Sequence, residues 1–317
     1  MKIGLIGLGG VGTMAAWRAA QAGHEVIGFE QFQLDHDFGS SYGDSRVVRR
    51  VYTDPLYTAL MAGAYDLWHD FASRFPQTEL FREAGGIYFG KAGSPGLGSA
   101  EAALRTAGVK HQVLSASECR QRFAAFAFED DDAAVYEPSM GYARASLCVR
   151  AAAQLARAHG ADLQENTTVA ELEPTSSGVG VTTANGEHFD FDRLLITAGP
   201  WTGPRLEALG VHLPLVVSRQ TYVHLAPRAN PQHFEVGPFP VWIDDTTWTY
   251  GFPHLGGVPG VKLADHSERE PTTAPSIHAS RSRSDWPRRP TTSRSPIQSG
   301  CSATSNVPCL NSNLCSR

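Results

Sequence analysis

No stretch of the sequence approaches the roughly 18–20 consecutive apolar residues that a membrane-crossing helix requires, which argues against a helical membrane protein. Cysteine is sparse and irregularly spaced: five residues in no paired pattern, so neither a disulfide framework nor a zinc site is expected. Lysine is scarcer still, confined to Lys2, Lys91, Lys110 and Lys262. The start, MKIGLIGLGG, lacks the basic flank and small-residue cleavage site of a secretory signal and reads as a buried strand. A reduced, cytoplasmic protein is expected. No basic stripe is present either. Residues 271–317 hold six Arg and one Asp, a charge of +5, which leaves −10 on the first 270 residues of a chain whose net charge is −5. Such an acidic body offers nothing to nucleic acid. No internal repeat and no metal-ligand spacing occurs.

What is present is enough apolar residue for a large core: 42% hydrophobic over 317 residues, sufficient for two domains. KIGLIGLGGVG is a strand running into glycines, followed by the Ala-rich helix TMAAWRAAQAG with Gly23 as its stop. HEVIGFE is a second strand ending at Glu30, so the three segments make a βαβ unit. Over 55–75 the residues Leu60, Ala64, Leu67, Trp68 and Phe71 fall at helical spacing. GGIYFG reads as a strand, Ser115 and Glu118 have the spacing of a capping box, and residues 145–159 predict a helix stopped by Gly160. VGVTTANGEHFDF predicts a hairpin with Asn185-Gly186 as a type I′ turn. PLVVSRQTYVHL and VWIDDTTWTYGF read as longer amphipathic strands of a mainly antiparallel sheet.

Four features bear on chemistry. Gly7, Gly9 and Gly12 form G-x-G-x-x-G between strand and helix, where glycines permit the tight turn, the approach of a pyrophosphate and close helix packing. Glu30 is placed to accept hydrogen bonds from an adenosine ribose. That disfavours a phosphorylated ribose and leaves FAD and NAD open. LLITAGPWTG, with Ala198-Gly199 closing another buried strand, suits a long dinucleotide such as FAD that is contacted twice. In SSYGDSRVVRR, Arg46 and Arg49 would share one face if the loop turns helical, and two guanidinium forks suit a carboxylate. Lys262, between Val261 and Leu263, would face away from both in a strand. Tyr250 and His266 are candidates beside it, although a lone lysine is usually a solvated surface charge and the other two, read alone, are more often structural than catalytic.

In this order, GLGGVG, Glu30, SSYGDSRVVRR, VYEPSMG, ITAGPWTG and YGFPHLGGVPGVKLADH resemble the monomeric sarcosine oxidase and N-methyltryptophan oxidase family of D-amino-acid-oxidase-like flavoproteins, over about residues 1–270. The resemblance implies a mixed α/β fold with a Rossmann-like FAD-binding domain (1–80 and 145–210) and an antiparallel-sheet substrate domain (81–144 and 211–270). It implies FAD as cofactor, contacted by Gly7, Gly9, Gly12, Glu30, Ser45, Val169, Gly199 and Trp201. The implied reaction is oxidation of a secondary amine of a small N-methyl amino acid by hydride transfer to flavin, with oxygen giving hydrogen peroxide. By resemblance Arg46 lies over the flavin, Arg49 holds the substrate carboxylate, Lys262 activates oxygen, and Tyr250 and His266 line the cavity. The family implies a monomer.

Two departures accompany the resemblance. Tyr42 stands where the family loop usually has histidine. The family's C-terminal motifs, a flavin-linking cysteine before hydrophobic-Tyr-Thr and a Ser-Gly-His-Gly loop, have no counterpart in 271–317, and Cys301, Cys309 and Cys315 have the wrong neighbours. That tail is rich in Ser, Pro and Arg and predicts disorder, as a reading-frame change would produce. An inactive truncated remnant prone to association, or an NAD-dependent dehydrogenase, are the alternatives to a working oxidase.

Overall fold

The computed structural model describes residues 1–266, so the tail expected over 271–317, with its three cysteines, lies outside the described residues. The chain divides into two compact units. The first comprises Met1–Arg46, Leu67–Arg82 and Tyr142–Val217; the second comprises Val47–Asp66, Glu83–Gly141 and the described chain from Ser218 onward. The fold is mixed α/β, as expected.

In the first unit a parallel four-stranded sheet runs in the order Arg193–Ile196, Lys2–Ile6, Glu25–Phe29, Asp162–Gln164. Its central strands carry near-continuous apolar runs because both faces are covered. One cover is the pair of helices Gly10–Gln21 and Ala145–Ala158, whose buried faces are rich in alanine (Ala16 and Ala20; Ala152, Ala153 and Ala156). Small side chains let these helix backbones approach closely. The other cover is a three-stranded sheet, Val169–Pro174, Val179–Thr183 and His188–Phe191. Ile6, Phe29, Val169, Val181 and Phe191 form the core between the sheets, with Phe29 set edge-on to Phe189 at 5.2 Å.

The hairpin at Asn185-Gly186 forms, but not through the turn expected. Only Gly186 has positive φ (88°), whereas a type I′ turn needs it at both central residues. Gly186 N–H donates to Thr183 O at 2.9 Å, so the turn centres on Ala184-Asn185 with Gly186 as the left-handed residue after it. The side chain of Thr183, bonding Asn185 Oδ1 and the Glu187 carbonyl, favours this longer loop.

The second unit is built on a seven-stranded sheet. Its strands run Tyr222–Leu225, Val261–Asp265, Thr249–Phe252, Val241–Asp244, Gly86–Lys91, Asp132–Glu137, Gln112–Ser115. All pairs are antiparallel except Val241–Asp244 with Gly86–Lys91. One face meets an aromatic core: Ile87, Phe89, Trp242 and Val261 pack with Phe123, Phe126, Phe128 and Phe239. The helix Ala116–Arg122 flanks it, and its capping box is present, with Ser115 Oγ accepting from Glu118 N–H and Glu118 Oε2 accepting from Ser115 N–H.

Three sequence expectations change. VWIDDTTWTYGF is not one long strand but two short ones, because Asp244 accepts bonds from Thr246 N–H and the Thr247 hydroxyl and folds the chain back. Of PLVVSRQTYVHL only Tyr222–Leu225 is a strand; Val223, Val216 and Leu215 lie exposed, without the packed face that would hold the rest extended. The helix over 55–75 forms as Pro55–Ser73, but Leu60 and Leu67 are 61% and 55% exposed. Phe71 is buried as expected, but the other buried positions are Thr58 and Tyr65, selected by tertiary contacts such as Tyr65 OH to Ser139 O at 2.8 Å.

Glu137, wholly buried, holds the turn that follows Arg49. Its carboxylate accepts from Arg50 N–H and Val51 N–H, each at 2.9 Å to Oε2, and from the Ser139 hydroxyl at 2.7 Å to Oε1. Burial pushes its carboxyl pKa up despite these donors. Glu137→Ala strands two buried amides and is expected to lower stability by about 2–4 kcal/mol, read from the denaturant midpoint. An unchanged midpoint would show that the turn holds without the carboxylate.

Candidate active site

In the first unit a cavity of about 320 Å³ opens where the first strand meets its helix. Gly7, Gly9, Glu30, Val169, Gly199 and Trp201, all expected at the cofactor, line it. Gly7 is required twice over: its φ is 91°, and a Cβ there would stand 2.6 Å from Thr197 O. Gly12 lies behind the loop, where a Cβ would collide with the carbonyl of Gly7. That matches a packing role for the third glycine. Thr197 Oγ1 donates to Gly7 O at 2.7 Å, joining the strand before Ala198-Gly199 to the glycine turn.

Glu30 is 4% exposed and spans the loop. Its Oε2 accepts from Leu8 N–H at 2.9 Å, and its Oε1 accepts from Phe32 N–H at 3.2 Å. His36 Nε2 lies 3.5 Å from the same Oε1. Since His36 Nδ1 accepts from Phe38 N–H at 3.2 Å, the network assigns the imidazole proton to Nε2, facing Glu30. Burial drives the His36 pKa below its ordinary 6.5, against the pull of Glu30, Asp37 and Asp35. The ring is thus held neutral, packed with Phe32 at 4.7 Å and Trp201 at 6.3 Å.

Three further groups on this cavity escaped the sequence reading. Ser41 Oγ accepts from Gly10 N–H at 2.9 Å, at the start of the first helix. Arg205 has no hydrogen-bond or ion-pair partner among the described residues, and desolvation alone lowers its pKa. Asp35 has one buried oxygen, Oδ1, without a hydrogen bond. A positive helix end, an unneutralised guanidinium and an unmet acceptor fit a ligand with both phosphates and hydroxyl donors. FAD is such a ligand.

Ser45 and Arg46 do not line this cavity. Ser45 is buried, and its carbonyl accepts from Arg46 at 2.7 Å. Arg46 also donates to the carbonyls of Ser40 and Tyr42, so its guanidinium is committed to shaping its own loop. The idea of a shared helical face with Arg49 fails, because Arg46–Val48 is a strand and an extended chain does not align positions three apart.

In the second unit, strand register collects the remaining candidates on the sheet face opposite the aromatic core. Lys262 pairs with Phe252 and His224, and Tyr250 pairs with Ala264 and Ile243. Lys262 is 6% exposed, its ammonium 4.4 Å from the Tyr222 ring and 5.2 Å from the Phe252 ring. Tyr250 meets His266 edge-on at 6.0 Å. Tyr88, on the same face, bonds Asp245, and burial raises its pKa while Arg49 opposes the rise. Arg49 stacks on Tyr52 at 4.4 Å and has no carboxylate partner among the described residues. Arg49, Lys262, Tyr250 and His266 therefore belong to one unit. The glycines, Glu30, Ser45, Arg46, Val169, Gly199 and Trp201 belong to the other.

Among the described residues no cluster of three or more His, Cys, Asp or Glu is placed to hold a metal, and no helix is long and apolar enough to cross a membrane. Burial pushes the thiols of Cys119 and Cys148 up to about 11 and about 12, which makes both poor nucleophiles for a covalent flavin link.

Comparison with known proteins shows the family. The family model described as FAD dependent oxidoreductase matches residues 2–291, running past residue 270, where the resemblance was expected to stop. A monomeric sarcosine oxidase of Streptomyces avermitilis is 33% identical over 265 residues, covering 82% of this chain and 68% of that protein. An N-methyl-L-tryptophan oxidase of Yersinia pestis is 28% identical over 266 residues, covering 83% and 69%. NikD, described as an unusual amino acid oxidase essential for nikkomycin biosynthesis, superposes with a TM-score of 0.71 at 27% identity, covering 87% of this chain and 72% of its own.

The His36 geometry carries a pH dependence. Its folded pKa lies below the unfolded value, so the unfolded chain binds the proton more readily, and stability falls as pH drops from about 6.5 through the depressed folded value. His36→Gln is expected to flatten this part of the stability–pH curve between pH 5 and 7.5, measured by denaturant unfolding. Parallel curves for the two proteins would refute it.

Proposed function

We propose that this chain, which belongs to the FAD dependent oxidoreductase family, oxidises the secondary amine of a small N-methyl amino acid of the sarcosine type. FAD, when bound, supplies the acceptor for a hydride equivalent from the substrate carbon and passes two electrons to oxygen, giving hydrogen peroxide, while water hydrolyses the resulting imine to an amine and an aldehyde. The observation that carries the reading is the pair of cations in the second unit: a buried ammonium between aromatic rings and an arginine that has no carboxylate partner among the described residues.

The roles follow from chemistry. In the cofactor cavity the N-terminus of Gly10–Gln21 and Arg205 present positive charge to phosphates, and Glu30 presents acceptors to ribose. Arg49 offers a planar fork to the substrate carboxylate, and its stacking on Tyr52 fixes the plane of that fork. Tyr250 and His266, edge-on to each other at 6.0 Å, offer polar tips on the same unit. Lys262 is buried beside the rings of Tyr222 and Phe252, where a positive charge would stabilise negative charge developing on oxygen. No described cysteine suits a covalent link, so flavin is expected in the supernatant after acid precipitation of the purified protein. The cytoplasm and a monomeric state complete the reading.

The test is peroxide release from sarcosine by the flavin-loaded full chain. Arg49→Gln is expected to reduce kcat/KM for sarcosine roughly 10–150-fold, with much less effect on an N-methyl amine that lacks a carboxylate. Equal loss on both substrates would remove Arg49 from carboxylate binding. Lys262→Met should leave anaerobic flavin reduction by sarcosine near the parent rate and slow reoxidation by oxygen. A variant slowed only in reduction would assign Lys262 to the amine instead.

A further inference from the structure

The cofactor cavity has an acceptor that no described residue meets. Asp35 sits in left-handed backbone at φ 62°, and its side chain is 8% exposed. Arg150 takes Oδ2 at 2.8 Å. With that oxygen anchored, Oδ1 is left buried and without a hydrogen bond, on a residue that lines the cavity. A buried carboxylate oxygen without a donor is strongly disfavoured unless a ligand supplies one.

Glu30 narrows what that ligand group is. An ionised carboxylate offers about four lone-pair sites. Leu8 N–H takes a site on Oε2, Phe32 N–H takes one on Oε1, and His36 Nε2 faces Oε1. Little more than one site remains, whereas the vicinal hydroxyls of a ribose bring two donors. Asp35 Oδ1 supplies the missing acceptor. Both carboxylates are near enough to His36 to bear on its proton, and both line the same cavity.

We propose that Asp35 and Glu30 divide a ribose diol between them, each accepting one hydroxyl of the adenosine half of FAD. Two carboxylates at the diol also repel a ribose that carries a phosphate. The inference rests on reading the cavity as the FAD site. Neither the glycine motif nor the acid ending the second strand points to Asp35, which lies in a loop without periodic pattern.

The experiment titrates full-length protein, freed of flavin, with FAD, ADP, 2′,3′-dideoxy-ADP and inosine diphosphate. The parent protein is expected to bind ADP at least about tenfold more tightly than the dideoxy analogue. Asp35→Ala and Asp35→Asn should each reduce that preference severalfold while leaving the ratio of ADP to inosine diphosphate unchanged. Asparagine tolerates left-handed backbone, so Asp35→Asn carries the test if the alanine variant melts early. A hydroxyl preference identical in parent and variants overturns the assignment. So does a variant that instead loses its preference for ADP over inosine diphosphate, since Asp35 would then read the adenine amine. If the parent binds neither FAD nor ADP, the cofactor reading of the cavity fails, and the diol assignment with it.

Discussion

The hydrogen bond from Leu8 N–H to Glu30 Oε2 is the constraint on which the cofactor cavity depends. It joins the turn after the first strand to the residue after the second, and so fixes the gap between two neighbouring strand ends. Glu30 is ionisable and nearly buried, a state tolerated only where donors surround the carboxylate. Two backbone amides and a neutral imidazole provide them. Substitution at Glu30 would therefore disturb the protein before it disturbed a ligand. The same atoms serve folding and recognition, and a loss of binding alone would not separate the two.

The second unit relies on a different constraint, the two-residue alternation of its strands. Val261 and Leu263 contribute to the aromatic core while Lys262 emerges on the other face. A register shift of one residue would put the ammonium into the core and two apolar side chains into the opposite face. The aromatic core thus secures the placement of Lys262 as well as stability. The rings of Tyr222 and Phe252 then make its burial tolerable, because the electron-rich faces partly replace water around the cation.

Features with a local physical cause were legible in the sequence. The capping box at Ser115 and Glu118, the glycine stop at Gly160 and the alternation around Lys262 each involve residues within a few positions of one another. Features set by distant partners were not. The helix Pro95–Thr106 was missed because Gly96 and Gly98 weaken its first turns, and Ser94 and the surrounding packing compensate. The helix Pro55–Ser73 was anticipated with a partly wrong buried face: Phe71 is buried, but Leu60 and Leu67 sit at good spacing and no described residue covers them. Asp35, His36, Ser41 and Arg205 acquire meaning only when the loop and a helix some 165 residues away line one cavity.

Arg46 and Arg49 illustrate the limit most directly. Both have the same side chain, a valine on one side and a short separation. Nothing local distinguishes them. Yet Arg46 donates to three carbonyls of its own loop, in a stretch with little regular structure to pair them. Arg49 stacks on one ring and keeps its fork without a carboxylate. What separates them is the competition for donors. The loop's carbonyls take the Arg46 guanidinium, and Arg49, beyond their reach, is the one proposed for the substrate carboxylate. The anchoring of Arg50 and Val51 by Glu137 holds the backbone after Arg49 in place, so the placement of that arginine also rests on a buried carboxylate.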